Sequence, residues 1–401
     1  MRRVSRLVAG DLAFDDFNFL LHHLRGLELS RMPRGARVML SAGCGGPWYF
    51  DWIEERYGQL ERHVGVELYS PRPDGLPMNV EWVNASVGNM PQVGDASIDL
   101  LFSGQNLEHL FGDDAVRFLL EASRVLRPGG SLVMDSPNRE MTNLLLWCHP
   151  EHTIEYAADE ARDLVALAGF DVTSLRGIWL VRDPRTKHLL PLDPYSSLAL
   201  PFAIRGRIRR AEDDPENSFV WWLEAVRTER PADREGLYRR QAEIFAAAWP
   251  ERLNRFWNPA GVVSTDGGTR VVTAAKGVSG CLMAGPMAPL APASYEVTFT
   301  LRRFGAQAVP RAVVALVEAI GAMDGSQVFA RHELTSSDLP LNHWTDVSLA
   351  FRVDELSWAG QFRVIATGLI GLQARMEVRV RDEHSPVWPS SLRMAGADAT
   401  V

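Results

Sequence analysis

The chain has 401 residues, 46% of them hydrophobic, and sets 42 Lys and Arg against 50 Asp and Glu for a net charge of −8. That length predicts two or three domains, each with ample apolar material for a core. The acidic balance argues against a chain built to wrap nucleic acid. No apolar h-region follows Arg2, Arg3 and Arg6, and no run reaches membrane-spanning length, so neither a signal peptide nor a membrane span is expected. Cys44, Cys148 and Cys281 form no CxxC pair, which fits a reduced cytoplasmic protein without a disulfide frame or structural zinc.

Residues 13–30 show helical spacing, with Phe14, Phe17, Leu20, Leu21, Leu24 and Leu27 on the apolar side and Arg25, Glu28 and Arg31 suited to the wet side. His22 and His23 read as structural or solvated. A first strand, Val38 to Leu40, breaks into a glycine turn at Gly43, Gly45 and Gly46, then enters a helix-patterned segment, Trp48 to Tyr57. A strand that passes to a helix through glycines leaves backbone N–H groups bare where an anionic or polar cofactor can approach. The second strand, His63–Val66, ends in Glu67, and a strand-tip carboxylate at this distance can accept both hydroxyl hydrogens of a ribose. A third strand, Val80–Val83, leads to Asn84-Ala85-Ser86. A fourth, Ser97–Phe102, leads to Ser103-Gly-Gln-Asn-Leu-Glu-His-Leu110.

A helix is expected over Asp113–Leu126, a turn at Arg127-Pro-Gly-Gly130, a fifth strand at Ser131–Asp135 and a helix over 159–168 that ends at Gly169. Two more strands follow, Phe170–Val181 and Phe219–Val226, separated by a segment, 183–216, that carries a basic run at Arg205–Arg210 and an acidic one at Glu212–Asp214. An insertion of this size is either a lid or a solvated loop. The strand–helix alternation predicts a mostly parallel sheet covered on both faces, in a first domain over 1–232. A helical connector, 233–257, precedes an all-β region, 258–385, and a tail, 386–401. Short β-type runs recur at Arg270–Ala274, Ser294–Leu301, Ala312–Ala319, Gln327–Leu334, Thr345–Phe351, Gln361–Ala366 and Met376–Val380, as in an antiparallel sandwich or jelly roll. Tyr295, Val297, Phe299 and Leu301 alternate onto one face.

Residues 30–230 resemble the class I S-adenosylmethionine-dependent methyltransferases. The resemblance rests on the glycine turn, Glu67, the Ser97-Ile-Asp-Leu-Leu strand with Leu107-Glu-His-Leu110, Arg124-Val-Leu-Arg-Pro-Gly-Gly130 and Ala168-Gly-Phe170. It implies a Rossmann-like seven-stranded domain whose last strand, Phe219–Val226, runs against the others. It also implies S-adenosyl-L-methionine as cofactor, with Ser41, Ala42, Gly43, Cys44 and Gly45 at its methionine end and Glu67 with Leu68 at the ribose. Ala85 and Ser86 would lie by the adenine, and Ser103 and Gln105 at the fourth strand's end. Two departures stand out. Ser41 occupies the family's usual acid position and Pro47 the place of a third glycine, although proline suits a first helical turn. Asn84 stands where an adenine-binding Asp is frequent. The stretch from Gly285 to Val297 resembles the β-sandwich modules attached to bacterial glycan-biosynthesis methyltransferases, which are similar to carbohydrate-binding domains.

A hydroxyl acceptor calls for a general base, because a neutral alcohol attacks slowly. His109, His149, His152 and Glu108 are the candidates, with His152 and His109 placed first. His149, His152 and Glu155 fall at i, i+3 and i+6. Magnesium prefers oxygen ligands and Pro150 interrupts a regular helix there, so no metal site is expected. Gln105 and Asn106 line the same strand end as Ser103. Trp147, Trp179, Trp221, Trp222, Trp344 and Trp358 are either sugar-stacking faces or core. The leading expectation is an O-methyltransferase acting on a saccharide or polysaccharide-related acceptor. The alternatives are a small-metabolite or lipid acceptor, or a non-catalytic glycan-binding scaffold with a degenerate cofactor site. No nucleic-acid partner is expected, and the oligomeric state is not readable.

Overall fold

The computed structural model describes residues 16–147, 149, 151–192, 201–305, 311–321 and 326–382. Phe14, Cys148, Pro150, the 386–401 tail and the side chain of Trp358 lie outside the described residues. Packing divides the chain into two compact units: 1–144 with 155–244, and 145–154 with 245–401.

The first unit carries a seven-stranded sheet in the order β3-β2-β1-β4-β5-β7-β6. Its strands are β1 Val38–Ala42, β2 Arg62–Glu67, β3 Val80–Asn84, β4 Ile98–Gly104, β5 Leu126–Pro137, β6 Phe170–Leu180 and β7 Ser218–Arg227. The first five are parallel, and β7 runs antiparallel to both β5 and β6, as the sequence predicts. Strands covered on both faces read as continuous apolar runs rather than alternations. Accordingly Met39, Leu40 and Ala42 of β1 and Leu101 and Phe102 of β4 are fully enclosed. Chain order reverses between β1 and β4, so the crevice beyond their C-terminal ends is the place where such a sheet binds a ligand.

Two sequence expectations for this unit are corrected. Arg127-Pro-Gly-Gly130, expected as a turn, lies within β5. The pairing jumps from Ile98–Leu126 to Leu100–Ser131, so the extra residues bulge out at the strand's N-terminal end. Of Arg25 and Glu28, assigned to the wet side of helix α1 (Asp16–Arg31), Glu28 is buried and Arg25 is largely covered. The Arg25 side chain keeps 12% of its exposure, and Glu28 sits between Arg31 and Arg176. Hydrophobic spacing alone cannot show that a cation on a helix meets a carboxylate from a distant strand.

Helix α2, Pro47–Tyr57, starts with Pro47 in its first turn, where the missing N–H costs nothing. Trp221 and Trp222 of β7 are fully enclosed, as is Trp179 of β6, so all three are core. In the former insertion, helix α6 (Pro201–Glu212, after α3 Gly112–Val125, α4 Arg139–Leu145 and α5 Ala158–Leu167) lays the basic run along β6. The Arg207 guanidinium sits 3.8 Å from the centre of the Trp179 ring and donates to the Leu180 carbonyl.

The second unit holds two five-stranded antiparallel sheets, consistent with a β-sandwich. One has the order β10-β16-β13-β14, with β11 also paired to β16; the other has the order β15-β12-β17-β9-β8. Its strands are β8 Val262–Asp266, β9 Thr269–Ala274, β10 Gly280–Met283, β11 Pro286–Leu290, β12 Ala293–Phe304, β13 Val313–Ile320, β14 Val328–Thr335, β15 Trp344–Val353, β16 Ser357–Ala366 and β17 Gly371–Asp382. The alternation read in β12 is the buried face, with Val297, Phe299 and Leu301 fully enclosed. They pack in one cluster with Val317, Phe362, Val364 and Leu372. Strands β8, β10 and β11 went unread because they are short. β11 also carries Pro286 and Pro289 and pairs through a shifting register, the behaviour of proline at a sheet margin.

Helix α7, Arg234–Leu253, contains the division between the units, at Ile244 and Phe245. In its last turn Arg252 is 1% exposed and donates to the carbonyls of His149, His152 and Pro286, which fastens 145–154 into the second unit.

Candidate active site

The C-terminal ends of β1, β2, β4 and β5 converge in the first unit. The turn after β1 is held by Gly43, whose N–H donates to the Val66 carbonyl at 3.0 Å and whose φ is +71°. A Cβ at Gly43 would lie 2.4 Å from Asn106 Oδ1. The turn is thus a cradle in which the Gly43 backbone lies against the Asn106 side chain, with no room for a side chain at position 43. Gly46 and Pro47 open α2 without a side-chain cap. Pro47 has no N–H to offer, and the Tyr49 amide turns back to the Gly46 carbonyl at 3.1 Å.

Ser41 does not face this cradle. It is fully buried, and its hydroxyl pairs with His63 Nε2 at 2.8 Å. Burial pushes the His63 imidazole down to about 3, so it stays neutral beside the serine. Ala42 and Cys44 are enclosed, and the Cys44 thiol, pushed up to about 12 by burial, is inert. Gly45 is exposed.

Glu67 lies at the tip of β2 and is half-buried. Its Oε1 accepts from the amides of Tyr69 at 2.9 Å and Ser70 at 3.4 Å. Asn84, read as a replaced adenine contact, organises this loop instead: its amide donates to the carbonyls of Glu67, Leu68 and Ser70. Leu68 is 48% exposed, and the Ala85 N–H donates to the Glu67 carbonyl. Ser86 accepts from the Gly88 amide.

At the end of β4, Ser103 accepts from Asn106 Nδ2 at 3.1 Å. Gln105 adopts a left-handed conformation, φ +54°. Its N–H donates to the Asp135 carbonyl and carboxylate, at 2.9 and 2.8 Å. Asp135, fully buried at the tip of β5, also takes both Nε and Nη2 of Arg25. Sequence reasoning missed this pair. The signal was present: Asp135 is a strand-tip acid like Glu67, and Arg25 falls four residues after Leu21, on the buried stripe of α1.

The 3₁₀ turn Leu107–His109 follows directly. Glu108 is fully buried, and burial, reinforced by the charges of Asp135 and Glu155, pushes its carboxyl up to about 8. The Ser136 hydroxyl lies beside it outside hydrogen-bond geometry. His109 is half-buried.

The structure thus gathers the glycine turn, Glu67, Ala85, Ser86, Ser103, Gln105 and His109 in one unit. His152 belongs to the second unit, where it is 4% exposed and packs by its ring against His149 and Trp147.

Residues 40–134 match a family described as a methyltransferase domain. The chain is 31% identical over 183 residues to a probable S-adenosylmethionine-dependent methyltransferase of Mycolicibacterium smegmatis, a match covering 44% of this chain and 67% of that one. A probable S-adenosylmethionine-dependent methyltransferase of Mycobacterium tuberculosis is 31% identical over 188 residues, covering 44% of this chain and 65% of its own length. The chain therefore spans about two thirds of the curated relatives it matches. A solved S-adenosylmethionine-dependent methyltransferase from Archaeoglobus fulgidus aligns over 51% of this chain and 94% of its own, at 17% identity and a TM-score of 0.38. No helix among the described residues is long and apolar enough to cross a membrane. The relative from Mycolicibacterium smegmatis, 31% identical and matched over 67% of its length, shows that the chain belongs to the S-adenosylmethionine-dependent methyltransferases.

Proposed function

We propose that this enzyme methylates a hydroxyl of a saccharide or polysaccharide-related acceptor. The observation that carries the reading is the joining, in one chain, of a methyltransferase unit to a second unit of two antiparallel sheets; the Gly285–Val297 stretch of that unit is similar in sequence to glycan-associated modules. The cofactor supplies an electrophilic methyl group when bound. The backbone of Ser41–Gly45 would hold its methionine end, and Glu67 with Leu68 would take the ribose. Ala85 and Ser86 would lie by the adenine, while Ser103 and Gln105 would close the site from β4. His109, half-buried beyond β4, would take the proton that the acceptor hydroxyl gives up in the transfer. The rest of the task is alignment, which binding geometry supplies.

The test is transfer of a labelled methyl group to a panel of polysaccharides, nucleotide sugars, small phenols and lipids. Labelling of saccharide members is expected; labelling confined to non-sugar acceptors would overturn the reading.

A further inference from the structure

The outward face of the sheet β15-β12-β17-β9-β8 in the second unit gathers charge that packing does not require. Strand alternation fixes which side chains point out. Leu301, Leu372 and Ala374 are fully enclosed, so Arg302, Gln373 and Arg375 beside them face away from the core. Across the strands Trp344 lies opposite Arg302, Arg302 opposite Gln373, and Gln373 opposite Thr273. Trp344 is half-buried, yet its ring is neither core filling nor an open stacking face. The Arg302 guanidinium sits 4.3 Å from the ring centre and that of Arg375 5.1 Å from it. An indole ring attracts a cation over its face, so one side chain holds two guanidiniums of like charge together. Their nitrogens are largely unspent. Arg302 Nε donates to Gln373 Oε1 at 2.7 Å, and the Gln373 amide donates on to Thr273 Oγ1 at 3.1 Å. Glu377, the acid paired with Arg375, stands 3.9 Å away, beyond hydrogen-bond reach. Asp346, on the same face, is taken by Thr300 and Arg379. Among the described residues, then, no carboxylate hydrogen-bonds to either guanidinium.

We propose that Arg302 and Arg375, held by Trp344, bind the oxyanion group of an acidic polysaccharide, the carboxylate of a uronic acid or a sulfate ester. Two oxygens of such a group match the planar fork of a guanidinium, and an anion shared by both arginines offsets their mutual repulsion. Gln373, Thr273 and Thr300 flank the pair with amide and hydroxyl groups suited to the neutral hydroxyls of adjoining sugar units. A nucleic acid offers anions too, but the chain's net charge of −8 opposes so dense a polyanion. The choice of a polysaccharide among anions rests on the proposed saccharide reading, whereas the anion site does not. A site of this kind raises the local concentration of polymer without entering the methyl transfer.

The experiment titrates the full chain with polygalacturonate, dextran sulfate, neutral dextran and a DNA duplex, and follows binding by calorimetry. At least one of the two anionic polysaccharides is expected to bind, more weakly as salt rises, and neutral dextran is not. Which of the two binds tells carboxylate from sulfate. Arg302→Gln and Arg375→Gln should each weaken binding about tenfold. Trp344→Ala, which releases both guanidiniums, should do at least as much, and the exposed Arg185→Gln of the first unit should change nothing. Circular dichroism and the thermal midpoint report whether each variant is folded. The arginine variants, altered on a solvent-facing surface, keep the test decisive if Trp344→Ala does not fold. Because the readout is binding, it stands apart from the methylation panel. Polyanion binding lost in the arginine variants supports the site even if only lipids are methylated, since that failure touches the acceptor alone. Tighter binding of DNA than of either polysaccharide, no binding of either at millimolar repeat units, or wild-type affinity in both arginine variants overturns the proposal, even if neutral sugars are methylated.

Discussion

Replacing Gly43 by alanine should damage the first unit in two separable ways. The first is conformational: at φ +71° an L-residue pays about 1–2 kcal/mol that glycine does not. The second is steric. The new Cβ would fall 2.4 Å from Asn106 Oδ1 and 2.8 Å from its Cγ. Asn106 is 8% exposed and tied to Ser103 by its amide, so it cannot swing clear without losing that bond. Overpacking of this kind adds about 1–3 kcal/mol. The sum, about 2–5 kcal/mol, corresponds to a urea midpoint lower by roughly 1–2 M at ordinary slopes. Tryptophan fluorescence would follow the transition. The double variant with Asn106→Ala should recover the steric share and retain about 1–2 kcal/mol of the conformational one. A Gly43→Ala protein with the wild-type midpoint, or a double variant no better than the single one, would refute the cradle as described.

Three further outcomes are expected. Arg25→Gln strands the Asp135 carboxylate in the interior and should lower first-unit stability by about 3–5 kcal/mol in denaturant titration. His63, held neutral down to about pH 3 when folded against about 6.5 when unfolded, contributes stability that is complete above pH 6.5 and lost as pH falls toward 3. Its slope is about 1.4 kcal/mol per pH unit, and His63→Gln should flatten that part of an acid-unfolding curve. Phe299→Ala, in the fully enclosed face of β12, should cost the second unit about 3–5 kcal/mol, read as a lower thermal midpoint.

The sheet of the first unit was legible because its signals are local and redundant: apolar runs, glycines at the hand-over to a helix, and an acid at a strand tip. The alternation in β12 was legible for the same reason. The partnerships of single side chains were not. Ser41 carries no mark in sequence that its hydroxyl turns to His63 rather than to the crevice. Arg25 and Asp135 are separated by 110 residues, and only the closed fold brings them together. Glu108 was weighed as a base from its chain position, but its lack of partners is a property of its surroundings alone. Strands such as β10 and β11 fall below the length at which periodicity can speak.

The loop after β2 has a consequence for how tightly anything can be held there. Glu67 already accepts two backbone amides, and Asn84 ties three carbonyls of the same loop together. A ligand hydroxyl that engages Glu67 Oε1 enters by exchange, displacing bonds of similar worth. Recognition at this tip therefore sets orientation more than affinity, and the heat released there should be small. Loosening the loop by Asn84→Ala would free the carboxylate and disorder it together, so faster entry would come with weaker selection among ligands.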